Sequence, residues 1–212
     1  MSMRKGILTV GKSLINSGLV VGTWGNISVR DSGREGFWIT PSGMNYLTLK
    51  IKDLVLLDLQ GKIIKGKRKP SSEFMMHSAI YSRRPDVLGI VHTHSVYATA
   101  HSVAGIEIPG ITEDLAQIVG GAVEVAPYYL TGTRQLAEAA VSCLGDKNAV
   151  LLANHGAVGV GQDLDEALKV CQVVEKSAQI HILSQVLGMP VYLSTQELAE
   201  IRQGFLHNYG QR

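Results

Sequence analysis

The sequence predicts one layered α/β domain built on a mixed or antiparallel sheet. Three observations carry that reading. Short apolar runs of strand length alternate irregularly with segments of helical period. An early pair of runs flanks Gln60-Gly61, a hairpin signal foreign to a simple series of βαβ units. The 212 residues hold no internal repeat, low-complexity segment or linker, so residues 1–212 suit one domain with a sizeable core.

The elements follow in order. Ile7, Leu8, Leu14 and Ile15 recur at helical spacing over about residues 4–17, with Gly18 placed to stop the helix. Gly22-Thr23-Trp24-Gly25-Asn26 is a glycine-bracketed turn into a short alternating strand that ends at Arg30, and Phe37-Trp38-Ile39 reads as its partner. Thr40-Pro41-Ser42-Gly43 is a tight turn. The runs 54–59 and 62–64 form the hairpin. A helix follows Pro70-Ser71-Ser72-Glu73 and ends before Pro85. Residues 87–94, V-L-G-I-V-H-T-H, read as a buried strand. Helices are expected over 97–103, 113–119 and 133–144, with a strand at 123–126 between the last two. Residues 149–153 form a second buried strand that runs into Asn154-His155-Gly156, and 157–160 continue in the sheet after that break. Asp163 caps a long helix to about residue 187, and Ser194-Thr195-Gln196-Glu197 is a capping box for a last one.

Composition narrows the function classes. Hydrophobic residues make up 45% and charged ones 18%, an ordinary globular balance, and a net charge of +2 points to neither nucleic acid nor a membrane surface. Cys143 and Cys171 lie in helical patterns among apolar residues and read as buried free thiols, which suits a reducing compartment. The N-terminus lacks the apolar core of a signal peptide, and no apolar run approaches the ~20 residues of a membrane span. A cytoplasmic protein is the expectation.

The chemistry centres on three histidines. His92 and His94 alternate onto one face at a strand end, a geometry that a metal ion can use. His155 also closes a buried strand, and two neighbouring strands ending at one edge would present three imidazoles to one ion. Three protein ligands with an open position is the catalytic arrangement for zinc, and manganese, cobalt or iron also accept imidazole. His77, His101, His181 and His207 read as surface or satisfied core residues, with His77 in reserve as a ligand because it shares a helix face with Glu73. Ser71 and Ser72 either cap their helix or join its free N–H groups in binding phosphate. Glu73 beside them is placed as a general base or a metal ligand. The two earlier turns add hydroxyl and N–H donors. The basic run Lys62, Lys65, Lys67, Arg68, Lys69 is a solvated arm or a minor steering element for an anionic substrate.

These motifs in this order resemble one family. T-W-G-N-I-S, T-P-S-G, P-S-S-E, H-T-H, N-H-G and the Tyr-Gly near the C-terminus are similar to those of the class II, metal-dependent sugar-phosphate aldolases, the L-fuculose-1-phosphate aldolase and L-ribulose-5-phosphate 4-epimerase group. The resemblance spans nearly the whole chain. It implies an α/β fold with a central, largely antiparallel sheet flanked by helices, and a four-fold symmetric homotetramer with active sites at subunit interfaces. His92, His94 and His155 would be the zinc ligands and Glu73 the catalytic acid/base. Thr23, Asn26, Ser42, Gly43, Ser71 and Ser72 would bind the substrate phosphate, with Gly25 shaping the first loop. Tyr209 from a neighbouring subunit's tail would close over the site. The chain departs from fuculose-phosphate aldolase at the aldehyde end. There it has Glu113, followed by Asp114, in place of a proton-donating tyrosine, and Thr131 in place of a phenylalanine. Glu113, Tyr209 or a water would then protonate the aldehyde oxygen.

The implied reaction is reversible aldol cleavage of a ketose 1-phosphate to dihydroxyacetone phosphate and a small aldehyde. An epimerase, dehydratase or decarboxylase of a sugar phosphate would share the same metal and phosphate residues. A non-catalytic interaction module, as in the adducin head domain where the metal site is lost, is the alternative from another class. The retained histidines and Glu73 speak against it.

Overall fold

A computed structural model describes residues 3–33 and 35–208. Eight strands form one sheet: β1 Asn26–Arg30, β2 Gly36–Ile39, β3 Val55–Asp58, β4 Ile63–Lys65, β5 Gly89–Thr93, β6 Val125–Ala126, β7 Ala149–Leu152 and β8 Gly156–Gly161. Their order is β4-β3-β2-β1-β5-β8-β7-β6. Every pairing is antiparallel except β6 with β7. The helices are α1 Met3–Asn16, α2 Phe74–Arg83, α3 Val96–Ala104, α4 Glu113–Val119, α5 Arg134–Leu144, α6 Leu164–Leu187 and α7 Thr195–Asn208. No helix of the described residues is long and apolar enough to cross a membrane.

Strand alternation divides the core into layers. Phe37 and Ile39 of β2, Ile90 of β5 and Val158 and Val160 of β8 pack under α2 and α5. The intervening Ile27, Val29, Trp38 and Val91 face the other way, under α1 and α6. Ala149, Leu151 and Ala157 continue that second face under α3, α4 and α6. Helices therefore flank both faces, as the resemblance implies.

The caps act as their sequences predict at two helices, and Thr133 adds a third that the sequence reading did not single out. Asp163 accepts from the Glu166 N–H at 2.7 Å, Thr133 accepts from Leu136 N–H, and Ser194 and Glu197 bond reciprocally. The start of α2 differs. Glu73 itself occupies the cap position and neither serine caps the helix; Ser71 Oγ instead accepts the Glu73 N–H at 3.3 Å.

One expectation about the sheet is corrected. β5 and β7 are not neighbours, because β8 lies between them and pairs antiparallel with both. β5 and β7 consequently run the same way and end at the same edge. His155 sits in the β7–β8 hairpin turn, not on a strand adjoining β5. Cys143 is also only partly buried, whereas Cys171 is buried; both are free.

Candidate active site

The site forms where β5, the β7–β8 turn, the start of β1 and the start of α2 meet. Asn26 pairs with His92 across the antiparallel β1–β5 ladder, so both stand at the same end of the sheet. Asn154 turns the β7–β8 hairpin with φ +57°, one of the few conformations in which asparagine is tolerated at positive φ. That turn aims His155 back toward β5. A second pair of turns is drawn together by backbone bonds. Ser42 N–H donates to Lys69 carbonyl and Ser71 N–H to Thr40 carbonyl, both at 3.0 Å, around a Pro41–Pro70 bridge. The Ser42-Gly43 turn thus lies beside Ser71 and Ser72.

The resulting cavity measures about 460 Å³ and is lined by Thr23, Trp24, Gly25, Asn26, Pro41, Ser42, Gly43, Ser71, Ser72, Glu73, His94, Thr131 and His155. All six residues expected on the phosphate are among them, as is Gly25. A larger groove between α2 and α5 has an apolar floor of Leu59, Phe74 and Ala137 and holds no cluster of metal-capable groups.

Glu73, His92, His94 and His155 each offer one ligand atom, and the four atoms lie within 4.8 Å of one another. His92 Nε2 is 3.0 Å from His94 Nε2 and 3.3 Å from His155 Nε2. Glu73 Oε2 is 3.3 Å from His92 Nε2, and Glu73 Oε1 is 3.5 Å from His155 Nε2. His92 Nδ1 donates to the Ala157 carbonyl at 2.9 Å, which leaves Nε2 as the ligating nitrogen. Trp24 lies parallel to the His94 ring, with centroids 6.4 Å apart. Three imidazole nitrogens converging on a carboxylate are a donor set for a divalent cation. Glu73 Oε1 supplies a second sign of fit, since it is buried without a hydrogen-bond partner among the described residues.

The electrostatics of the cluster agree. Burial opposes ionisation of Glu73, but His92 foremost, with His155 and Asn26, outweighs it and holds the carboxyl below the usual range. Burial likewise opposes the His92 imidazolium, and the Glu73 carboxylate overcomes it, so His92 is raised. His94 is pushed down to about 3 and His155 to about 4, in each case by burial and then by the charge on His92. The cluster stabilises positive charge at its centre and keeps the other two imidazoles as lone-pair donors.

Not every expected residue reaches the cavity. Glu113 is the first residue of α4; it is exposed and outside the cavity lining of its own chain, because α4 packs against α6 and α7. Asp114 beside it pairs with Lys176. Tyr209 lies outside the described residues. His77 is not a ligand. It is fully buried and bonds Asn26 and Ser28. Asn26, expected on the phosphate, donates through Nδ2 to Glu73 Oε2 at 2.8 Å. Sequence reasoning assigned no role to Trp24, although an aromatic ring inside a glycine-bracketed turn was its signal. Nor did it assign one to Ser28 and Tyr81, whose signal was their spacing from Asn26 and Glu73.

Comparison with known proteins agrees with this geometry. Residues 5–182 match the family model of the class II aldolase and adducin N-terminal domain. A 5-deoxy-D-ribulose 1-phosphate aldolase of Bacillus thuringiensis is 40% identical over 99% of this chain and 97% of its own length. The L-fuculose phosphate aldolase of Escherichia coli K12 is 38% identical, covering 92% and 89%. A solved L-fuculose 1-phosphate aldolase superposes with a TM-score of 0.93 at 35% identity, covering 96% of each chain. With the family model over most of its length and relatives above one-third identity end to end, the chain belongs to the class II aldolase and adducin N-terminal domain family.

Proposed function

We propose that this chain catalyses reversible aldol cleavage of a ketose 1-phosphate to dihydroxyacetone phosphate and a small aldehyde. The observation that carries the reading is the position of Glu73. Its Oε1, 3.5 Å from His155 Nε2 and without a hydrogen-bond partner among the described residues, stands between the three-imidazole cluster and a wall of hydroxyl- and glycine-rich turns. A proton-transfer group is thereby placed between a cation site and an anion site. The aldolases named among its relatives support the same chemistry.

Thr23, Asn26, Ser42, Gly43, Ser71 and Ser72 bind the substrate phosphate, and Gly25 shapes the first turn. Binding at that remote end positions C3 of the ketose against Glu73. The C4 hydroxyl gives its proton to Glu113 or Tyr209 of a neighbouring copy or to a water, the C3–C4 bond breaks, and its electron pair passes to C3, conjugated with the C2 carbonyl. Glu73, a carboxylate at rest, takes up a proton from solvent and delivers it to C3. In the synthetic direction it removes that proton. A divalent cation held by His92, His94 and His155, zinc being suited to three imidazoles, supplies Lewis-acid charge for the oxyanion that develops. The step needs no lysine Schiff base, and among the described residues no lysine lines the cavity.

The active form is a homotetramer with sites at subunit interfaces. Tyr128, Tyr129 and Leu130 are exposed and immediately precede Thr131 on the cavity rim, an apolar edge suited to a neighbouring copy. Such a copy brings Glu113 and Tyr209 to the aldehyde end. Two free thiols fit a cytoplasmic location.

The test is direct. Protein loaded in turn with Zn²⁺, Mn²⁺, Co²⁺ or Fe²⁺ is incubated with 5-deoxyribulose 1-phosphate and with fuculose 1-phosphate, and dihydroxyacetone phosphate is assayed. Release of triose phosphate that E73Q abolishes is expected. No triose phosphate from any ketose 1-phosphate would refute the reading.

A further inference from the structure

Six polar side chains form a buried ladder between β1 and α2. Asn26, Ser28 and Arg30 alternate onto the α2 face of the sheet. Glu73, His77 and Tyr81 follow one another at intervals of four along the helix and its cap. Two strand residues span roughly 6.8 Å and four helical residues roughly 6 Å, so the two rows stay in step. All six are at most 6% exposed.

The bonds of this ladder have a direction. Asn26 Nδ2 donates to Glu73 Oε2. Its Oδ1 is therefore the atom facing His77 Nε2, which must be the donor. Neutral His77 then offers Nδ1 as an acceptor, and Ser28 Oγ donates to it across 2.6 Å. Ser28 Oγ accepts in turn from the Tyr81 hydroxyl at 2.8 Å. Arg30 fixes the far end, with its guanidinium 4.7 Å over the Tyr81 ring and Nη2 donating to the Tyr81 carbonyl. Each donor in the row thus points one step nearer the Glu73 carboxylate.

The protonation states suit that direction. Burial pushes the His77 imidazole down to about 3, so the ring is neutral. Burial also raises the Tyr81 hydroxyl above its ordinary value, so it stays protonated. An overturned Asn26 amide would set its oxygen against the carboxylate and its nitrogen against a donor. His77 is the group that decides between the two orientations.

From this geometry we propose that His77 is a positioning residue for proton transfer at C3: by donating to Asn26 Oδ1 it fixes the amide that holds Glu73 Oε2, and so keeps Oε1, which has no hydrogen-bond partner among the described residues, for the substrate. The proposal rests on the reading of Glu73 as the group that moves the C3 proton. Its consequence is separable from metal binding and from most of the phosphate grip, because His77 bonds none of the three histidines and meets the cavity lining only at Asn26.

The experiment uses the zinc-loaded enzyme with H77L, H77Q, Y81F, E73Q and E73Q/H77L. H77L lowers kcat at least ~10-fold with KM within about threefold of the parent. H77Q, whose amide can donate to Asn26 and accept from Ser28, restores most of that loss. Deuterium uptake from solvent into dihydroxyacetone phosphate, followed by NMR without aldehyde, falls in parallel. Zn²⁺ affinity measured by titration calorimetry is the same in H77L, H77Q and the parent. In the E73Q background H77L adds no further loss.

Equal impairment of H77Q and H77L would overturn the proposal. So would a loss confined to KM or Zn²⁺ affinity, or the same fold-loss in the E73Q background. Should H77L fail to fold, Y81F decides, since it removes the first donor and keeps the ring. A kcat lowered about threefold at constant KM supports the ladder, and an unchanged kcat overturns it. Undiminished kcat in E73Q sinks the reading of Glu73 itself, an outcome distinct from failure of His77 alone.

Discussion

The wall that carries His92, His94, His155 and Glu73 is made of the end of β5, the tight β7–β8 hairpin turn and a helix cap, all anchored on the core sheet, whereas the wall that carries Thr23, Ser42, Gly43 and Ser72 is made of more open turns. His92 and Glu73 are buried, and their polar atoms are tied to Ala157, Asn26 and each other. Thr23, Ser42, Gly43 and Ser72 are all exposed. The difference follows from what each wall must do. Proton transfer and cation binding depend on positions fixed to a fraction of an ångström and on low local dielectric, which packed elements supply. An anion grip sums several weak donors, and those donors must stay open to the ligand. One glycine joins the two walls. Gly25 has φ +74°, and a Cβ there would stand 2.5 Å from the His92 carbonyl oxygen, so the first turn lies directly on the end of β5.

The contrast is broken most severely on the core side. His94→Ala removes one of the three imidazoles and leaves Glu73 as the sole further donor of the cluster among the described residues. Bound Zn²⁺ in the purified protein, measured by atomic absorption, should fall below half occupancy. Triose-phosphate release should fall by ~10³-fold or more, the scale on which loss of Lewis-acid and electrostatic stabilisation acts. Retained metal with near-normal kcat would show that the cluster is not the working cation site.

On the turn side the effect is smaller and of another kind. Ser72→Ala removes one hydroxyl beside the α2 N-terminus and leaves the backbone donors in place. KM for the ketose 1-phosphate should rise about tenfold, the worth of one charge-assisted hydrogen bond, with kcat changed far less and Zn²⁺ content unchanged. A fall in kcat at constant KM would instead place Ser72 with the proton-transfer wall.

The two walls were also unequally legible in the amino-acid sequence. Two histidines two apart at the end of an apolar run, and a third closing another run, need only strand alternation to be read as a cluster. Their arrangement in the sheet was harder. Asn154-His155-Gly156 read as a break in a strand, so nothing in the local pattern placed β8 between β5 and β7. The Ser71-Ser72 pair suggested a cap by composition, but the Thr40–Ser71 and Ser42–Lys69 backbone bonds pull the serines out of cap position. The ladder behind Glu73 was the least legible part. Its two rows show regular spacing, two on β1 and four on α2, but their partners lie 47 to 53 residues apart, and only the pairing of strand with helix reveals them. Glu113 shows the converse, since a motif position gave it a role at a site that its own chain does not bring it to.

The core wall also sets how the protein responds to acid. Folding pushes His77 and His94 down to about 3 and His155 to about 4, from an ordinary value of 6.5. Between those values the unfolded chain binds protons at these imidazoles that the folded chain refuses, so stability falls as pH drops below about 6.5. His92 acts in the opposite sense. Its raised value contributes stability that is full below 6.5 and lost as pH rises through the folded value. Glu73, held low in the fold, adds stability above its ordinary carboxylate range that is lost as pH falls further. His181 is lowered as well, so four depressed imidazoles stand against one raised one and the net slope is loss toward acid. Urea unfolding of metal-free protein from pH 7 to pH 4 should show a midpoint that declines below about 6.5. H77Q should make that decline shallower by taking one depressed imidazole out of the sum, whereas Zn²⁺ should make it steeper, because the cation binds the deprotonated imidazoles of the folded state. A midpoint that rises toward acid, or a slope that H77Q leaves untouched, would mean that these imidazoles do not govern the acid limb.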